Sequence, residues 1–239
     1  DYIFHLAAHS SIPLSWRDPE KTFKVNILGT LNLLESIRKT GITPTLEVTG
    51  SSAEYGFTTN AAIQIKENSE FQPTSPYAVS KMAESRLAYL YWQTYGIKVI
   101  RLRPFYIVGT GRESGACSDF ARSIVEIEAG RRDSLSAGNL DAVRDPVDVR
   151  DAVRAMWLLA EKGKPGEVYN ICSGMGYKIK DILDKLISLS QQPVRVQTDP
   201  NRLRPSDEPF LVGDCSKLSE LGWKPQIPLE KTLSDILNY

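Results

Sequence analysis

Cysteine is scarce and scattered. The 239 residues hold three, at positions 117, 172 and 215. They are odd in number, far apart and without metal-type spacing, so reduced thiols in a cytosolic protein are the expectation. A surplus of one charge is also lacking. Lysine plus arginine equals aspartate plus glutamate, 29 of each, which leaves no basic excess for nucleic acid or an anionic membrane surface. No apolar run approaches the roughly 20 residues that span a bilayer, and no stretch reads as a secretory signal. Internal repeats and low-complexity tracts are absent. What remains is 41% apolar and 24% charged, suited to one sizeable globular domain or a domain with a small appendage.

One stretch organises the chain. Val48-Thr49-Gly50-Ser51-Ser52 ends an apolar run in hydroxyls, and Ser75-Pro76-Tyr77-Ala78-Val79-Ser80-Lys81 follows a polar loop. Ser75-Pro76 is a helix start, a serine cap with proline in the first helical position. Positions i and i+4 of a helix share a face, so Lys81 is placed to act on Tyr77. A nearby cation favours phenolate, and moving a tyrosine from its ordinary pKa of about 10 towards 7 takes roughly 4 kcal/mol. Such a phenol can pass a proton to a sugar or ketone oxygen. A bare Tyr-x-x-x-Lys is weak evidence, although Tyr77/Lys81 is the only pair here that fits. Ser51 adds to it, because ligands in an open parallel sheet gather at strand ends.

Periodicity supplies the frame. Tyr2 to Ala8 reads as a buried parallel strand followed by a polar loop. Asp18-Pro19 caps a helix running to about Arg38, with Phe23, Ile27, Leu31 and Leu34 as its apolar stripe and Gly41 as its stop. Thr45–Thr49 is a strand, Gly56–Thr74 a loop, Pro76–Tyr95 a helix and Lys98–Arg103 a strand. This alternation predicts a parallel sheet covered on both faces. Further on, 109–115 reads as a glycine-rich loop, 119–129 as helix, 138–145 as loop or short strand and 147–161 as helix. Then 167–172 is a strand, 179–189 a helix, 202–207 a basic loop and 228–237 the last helix. The second half should form a smaller lobe over the carboxyl edge of the sheet.

The motifs His5-Leu6-Ala7-Ala8, Val25-Asn26-Ile27-Leu28-Gly29-Thr30, the Ser51 segment, Tyr77/Lys81, Arg103-Pro104-Phe105, Arg144-Asp145, Arg204-Pro205-Ser206-Asp207 and Leu221-Gly222-Trp223-Lys224-Pro225 resemble one family, in its order and over essentially the whole chain. It is the extended short-chain dehydrogenase/reductases, the sugar-nucleotide epimerase/dehydratase/reductase group. Within that group 138–145 and the Arg204 loop most resemble the GDP-mannose branch, and in it the GDP-4-keto-6-deoxy-mannose reductases, which form GDP-rhamnose. The family's G-x-x-G-x-x-G turn, which lets backbone approach a pyrophosphate, is not among these residues. The resemblance implies roughly 60–80 residues upstream, about two βα units.

The implied fold is α/β: a Rossmann-like doubly wound parallel sheet lacking its N-terminal βα units in this chain, with a smaller α/β substrate-binding lobe. Residues 1–108 would form a partial dinucleotide-binding domain, with 145–173 partly returning to it, and 109–144 and 174–239 the lobe. The implied activity is NAD(P)H-dependent reduction of the 4-keto group of a nucleotide-activated 6-deoxyhexose. Epimerisation or 4,6-dehydration is the alternative, and a non-catalytic dinucleotide-binding protein a further one. Ser51, Tyr77 and Lys81 are the catalytic candidates. Tyr77 donates the proton, and Ser51 bonds the reacting oxygen, with Ser52 beside it as the other choice. Ala7, Ala8, Tyr77, Lys81, Pro104 and Ile107 are assigned to NAD or NADP. Ser52, Tyr106, Arg122, Arg144, Arg204 and Asp207 are assigned to a GDP-sugar, the arginines because a planar guanidinium suits phosphate.

The Gly109-Thr110-Gly111-Arg112 turn departs from the Gly-Pro-Gly usual in relatives, and so do two single positions. Tyr106 stands where they carry asparagine, and Ala53 where the dehydratases carry the carboxylate that water elimination needs. Glu54 does not replace that carboxylate if the segment is extended, since neighbours then point to opposite sides. His5 is expected in the core, His9 in a loop after the strand, and Asn26 on a helix within reach of local backbone or the site. A cytoplasmic homodimer paired through helices 19–38 and 76–95 completes the expectation. No metal is called for.

Overall fold

The computed structural model describes residues 1–57, 63–202 and 208–239. In chain order the first part runs β1 (Tyr2–His5), α1 (Ile12–Arg17), α2 (Pro19–Phe23), a π turn (Lys24–Leu28), α3 (Gly29–Thr40), β2 (Thr45–Thr49), a 3₁₀ turn (Ser52–Glu54), α4 (Pro76–Tyr95), β3 (Lys98–Pro104) and β4 (Tyr106–Val108). Then follow α5 (Ala116–Glu128), β5 (Leu135–Ala137), β6 (Val143–Arg144), β7 (Pro146–Asp148), α6 (Val149–Lys162), β8 (Val168–Ile171), β9 (Tyr177–Lys178), α7 (Ile179–Ser188), β10 (Val196–Thr198), β11 (Phe210–Leu211), α8 (Ser216–Ser219) and α9 (Leu229–Leu237).

The central sheet has the order β1-β2-β3-β8 and is parallel throughout. Apolar residues of β2 and β3 pack on both faces because both are covered, whereas β1, expected as a buried strand, is an edge strand with Tyr2 exposed. Leu46, Val48 and Val99 pack with Leu34 and Ile37 of α3 and Ala88 and Tyr91 of α4. On the opposite face Ile100 and Leu102 meet Ala152, Ala155, Met156 and Leu159 of α6. Each fully buried aliphatic side chain contributes about 1.5–3 kcal/mol. A second core joins α5, α7 and α9 through Phe120, Ile124, Ile182, Leu183, Leu186 and Leu233. It carries the small β5/β10 and β11/β6/β9 sheets.

β2 and α4 coincide with the bounds read from sequence. The Ser75 side chain accepts from the Ala78 amide, and Gly96 ends α4 at φ 69°, a left-handed residue where glycine is favoured. Three expectations need correction. The polar loop expected after β1 contains α1, which Ser11 caps and Pro13 enters in its first turn. The helix expected from 147 is preceded by β7, which pairs with β4, and begins at Val149. The stripe Phe23, Ile27, Leu31 and Leu34 is out of phase. Phe23 is exposed, whereas Thr22, Asn26 and Thr30 are fully buried before Leu34 and Ile37 take over. The first half of this helical run faces α4 and the loop after β1, where polar partners await; only its second half faces the apolar core. The π turn lies at the changeover, a feature that recurs at functional sites.

Candidate active site

Ser51 lies just beyond the carboxyl end of β2, at backbone angles of φ −163° and ψ 149°. The chain then turns into the 3₁₀ turn rather than continuing extended, which corrects the reason for discounting Glu54. Glu54 is fully buried, accepts from the Ser51 amide (2.9 Å) and pairs with Arg103 at 2.9 Å. Arg103 also donates to the Tyr55 hydroxyl (2.9 Å) and the Glu67 carbonyl (3.0 Å). A guanidinium rising from β3 thus holds the Ser51 turn and the following loop to the sheet. Glu54 is committed to that frame, and Ala53 beside it is buried and has no proton to exchange.

Tyr77 and Lys81 rise from the first two turns of α4. The Ser51 hydroxyl, not that of the buried Ser52, is the one whose presence lowers the Tyr77 pKa. Burial pushes the phenol up to about 12; the Ser51 hydroxyl and Arg112 pull it down, and the carboxylates of Glu84 and Glu54 add to the rise. The expected lowering towards neutrality by Lys81 is therefore not found. Lys81 is buried, and its ammonium donates to the Thr49 carbonyl (2.8 Å) and to Glu84 (3.0 and 3.4 Å). A counter-charge one turn along screens the field that spacing alone assigned to the phenol.

The loop after β1 is tied to the same helix. Asn26, fully buried, accepts from the His9 amide (2.7 Å) and donates to the His9 carbonyl (3.3 Å) and the Ser80 hydroxyl (2.8 Å). His9 Nδ1 meets the Thr22 hydroxyl at 2.7 Å, which engages the ring with the helix. His5 is buried against Thr30, its Nε2 at 2.9 Å from the hydroxyl, and burial followed by the Lys81 charge lowers its pKa. Ala7 is exposed and Ala8 half-buried just past β1. Pro104 is buried at the end of β3 and Ile107 half-buried in β4.

The substrate candidates separate. Arg144 is mostly buried; it donates to the Glu208 carbonyl (2.7 Å) and pairs with the Glu208 carboxylate at 3.8 Å. Its neighbour Asp145 accepts from the amides of Ser173, Gly174 and Gly213 at 2.7–3.1 Å, and from the Ser173 hydroxyl at 2.6 Å. Tyr106 does not present its hydroxyl as expected for a sugar contact. The hydroxyl accepts from the Cys117 amide at 3.2 Å, satisfying an otherwise unpaired donor at the start of α5, while Arg112 stacks over the ring. Arg122 also departs from expectation, being exposed and donating to the Glu113 carbonyl. Arg204 and Asp207 lie outside the described residues. Among the described residues no group of His, Cys, Asp or Glu is arranged to hold a metal ion.

Sequence reading missed Glu84 and the framing role of Glu54 and Arg103. The signal for Glu84 was present: 77, 81 and 84 stand at i, i+4 and i+7 of one helix face. Nothing local announces that Glu54 and Arg103 meet, since they are 49 residues apart.

Known proteins resemble this chain in sequence and fold. Residues 1–236 match the family model described as GDP-mannose 4,6 dehydratase. GDP-6-deoxy-D-mannose reductase of Pseudomonas aeruginosa is 35% identical over 241 residues, covering 100% of this chain and 79% of that protein. GDP-mannose 4,6-dehydratase of Vibrio cholerae is 28% identical over 99% of this chain and 72% of its own length. Among solved structures, RMD from Pseudomonas aeruginosa complexed with NADPH superimposes with a TM-score of 0.94 at 34% identity, covering 100% of this chain and 80% of that one. UDP-glucose 4-epimerase of Thermus thermophilus in complex with NAD gives 0.89 at 28% identity, over 99% and 76%. The chain belongs to the GDP-mannose 4,6 dehydratase family, whose Rossmann-like sheet and NAD(P)-dependent sugar-nucleotide chemistry it shares.

Proposed function

We propose that this protein reduces the 4-keto group of GDP-4-keto-6-deoxy-mannose with NADPH or NADH, forming GDP-rhamnose. The observation that carries the reading is the Ser51 hydroxyl acting on the Tyr77 phenol, with an alanine at 53. The hydroxyl pair can bind and protonate a carbonyl oxygen, while dehydration lacks its carboxylate. The similarity to the Pseudomonas reductase supports the same choice.

The residues fit the nicotinamide end of a dinucleotide. Leu6 and Ala7 are exposed at the carboxyl end of β1, and the loop they open is bonded through Asn26 to the helix bearing Tyr77 and Lys81. In this reading Ala7, Ala8, Pro104 and Ile107 line that end, and Tyr77 and Lys81 reach it. A bound dihydronicotinamide supplies the hydride for C4. Ser51 donates a hydrogen bond to the carbonyl oxygen, which is worth more as negative charge develops there; removing such a donor typically costs about 3–4 kcal/mol. Tyr77 is neutral at physiological pH, and burial raises its pKa further, so it carries a proton ready for the oxygen, and a sugar alkoxide is basic enough to take it. Lys81 fixes the face of α4 against β2 through Thr49.

Arg144, with Arg204 and Asp207, is assigned to the nucleotide diphosphate and its sugar; Ser52, Tyr106 and Arg122 have weaker claims on geometry. Residues 1–108 and 145–173 form the cofactor side, and 109–144 with 174–239 the substrate side. Two copies pair through the 19–38 and 76–95 helices, where Phe23, Val25, Leu28, Val79 and Leu90 are exposed. A cytoplasmic location fits a chain in which, among the described residues, no helix is long and apolar enough to cross a membrane.

The test offers purified protein GDP-, UDP- and dTDP-keto-sugars with NADPH or NADH, follows absorbance at 340 nm and identifies the product. Loss of absorbance with the GDP-keto-deoxyhexose and appearance of GDP-rhamnose are expected. With the corresponding 4-hydroxy nucleotide sugars and NAD, a C4-inverted product with no net redox change would instead establish the epimerase reading, which the fold shared with UDP-glucose 4-epimerase favours.

A further inference from the structure

Glu84 is a fully buried carboxylate with no assigned part in the chemistry. It follows Tyr77 and Lys81 on one face of α4, and its two oxygens lie 3.0 and 3.4 Å from the Lys81 ammonium. That ammonium is itself only 3% exposed, and its other recorded partner is the Thr49 carbonyl of β2 at 2.8 Å. A buried ion pair commonly gives less stability than apolar packing of equal volume. Its presence beside the acid–base tyrosine therefore calls for another reason.

We propose that Glu84 is a positioning residue for the catalytic pair: its carboxyl group fixes the Lys81 ammonium against the Thr49 carbonyl and, by gaining or losing a proton, sets how much of the Lys81 charge reaches Tyr77. This rests on the reductase reading for its consequence in catalysis, but the coupling itself is a property of the side chains.

The surroundings make Glu84 able to switch near neutrality. Burial pushes its carboxyl up to about 7, against the pull of Lys81. Beside it lie the Thr30 hydroxyl from α3 and, further off, the Glu54 carboxylate from the 3₁₀ turn, which opposes ionisation. His5 from β1 stands behind Thr30 and senses the Lys81 charge. Tyr77 in turn is raised by Glu84 and Glu54 and lowered by Ser51 and by Arg112 from the loop after β4. Below about pH 7 Glu84 is neutral, the ammonium is unscreened and Tyr77 yields its proton more readily. Above it the carboxylate cancels the ammonium and Tyr77 holds its proton more tightly.

The test compares the wild type with Glu84→Gln and Glu84→Asp. In the cofactor-free protein, tyrosine labelled with ¹³C at Cζ gives a Tyr77 resonance assigned by its loss in Tyr77→Phe. In the wild type this resonance should shift between pH 6 and 8 with a midpoint near 7. The shift should vanish in Glu84→Gln and return, with an altered midpoint, in Glu84→Asp. In turnover, the wild-type kcat should fall severalfold from pH 6 to 8, while Glu84→Gln stays level over that range. A purely structural role would change thermal stability and leave the pH step in place. A Tyr77 resonance in the wild type that is flat across pH 6–8 overturns the proposal, even if the glutamine variant does not fold. So does a step of wild-type size in Glu84→Gln. A wild type that consumes no NADPH or NADH while its Tyr77 resonance still titrates would refute the reductase reading and leave the coupling intact.

Discussion

Glu47 sits in the middle strand pair of the central sheet, opposite Phe4 on one side and Ile100 on the other. It is 1% exposed, and neither carboxylate oxygen has a hydrogen-bond partner among the described residues. Burial alone lifts its pKa from 4.5 to about 8. The sign follows from proton counting. Between those two values the folded chain holds a proton that the unfolded chain has released, so raising the pH favours unfolding. The stability is fully present below about pH 4.5 and lost as pH rises to about 8. The whole interval corresponds to about 5 kcal/mol at 1.36 kcal/mol per pH unit, and the window from pH 6 to 8 to about 2.5 kcal/mol. Glu47→Gln cannot titrate. Urea unfolding at pH 6 and at pH 8, with wild type and variant side by side, should show a loss in the wild type larger by a few kcal/mol. The difference between the proteins cancels the contribution of other groups such as Glu84. Equal pH dependence in the two would refute the reasoning and mean that Glu47 reaches water or a partner in solution.

Two further outcomes follow from the polar frame of the site. Asn26→Ala removes three hydrogen bonds and strands the His9 amide, while the Ser80 hydroxyl keeps only its bond to the Tyr77 carbonyl. At about 1–3 kcal/mol per buried unsatisfied group, it should lower the unfolding midpoint and raise KM for the dinucleotide, measured by steady-state titration. Asp145→Asn replaces an oxygen that accepts from several amides with a group that donates. A stability loss of about 3 kcal/mol or more is expected, with weaker nucleotide-sugar binding by calorimetry, because the loop at 173–174 and the strand end at 213 come loose beside Arg144.

Much of the frame was legible because its punctuation is local. Ser75-Pro76 and Gly96 bound α4, Gly41 ends α3 at φ 71°, and the apolar run of β2 stops at Thr49. The meeting of Ser51 with Tyr77 could be anticipated from a strand end and a helix start. The electrostatics could not. Spacing placed Lys81 one turn from Tyr77 and Glu84 on the same face, but did not show that Glu84 is buried with the ammonium and draws it aside. The burial of Thr22, Asn26 and Thr30 contradicts an apolar-stripe reading, because which helix face turns inward depends on polar partners from β1 and α4, distant in sequence. Tyr106 likewise looked like a sugar contact until the amide of Cys117 was found on its hydroxyl.

The most direct measurement is the rate of NADPH or NADH oxidation by Tyr77→Phe with GDP-4-keto-6-deoxy-mannose, alongside its affinity for the dinucleotide. Phenylalanine keeps the ring and removes the proton that Ser51 helps to position, and general acid catalysis is worth about 10²–10⁴-fold. A fall in kcat of at least about a hundredfold, with dinucleotide affinity little changed, is the expected result. A variant that turns over at close to the wild-type rate would contradict the assignment of Tyr77 as the proton donor.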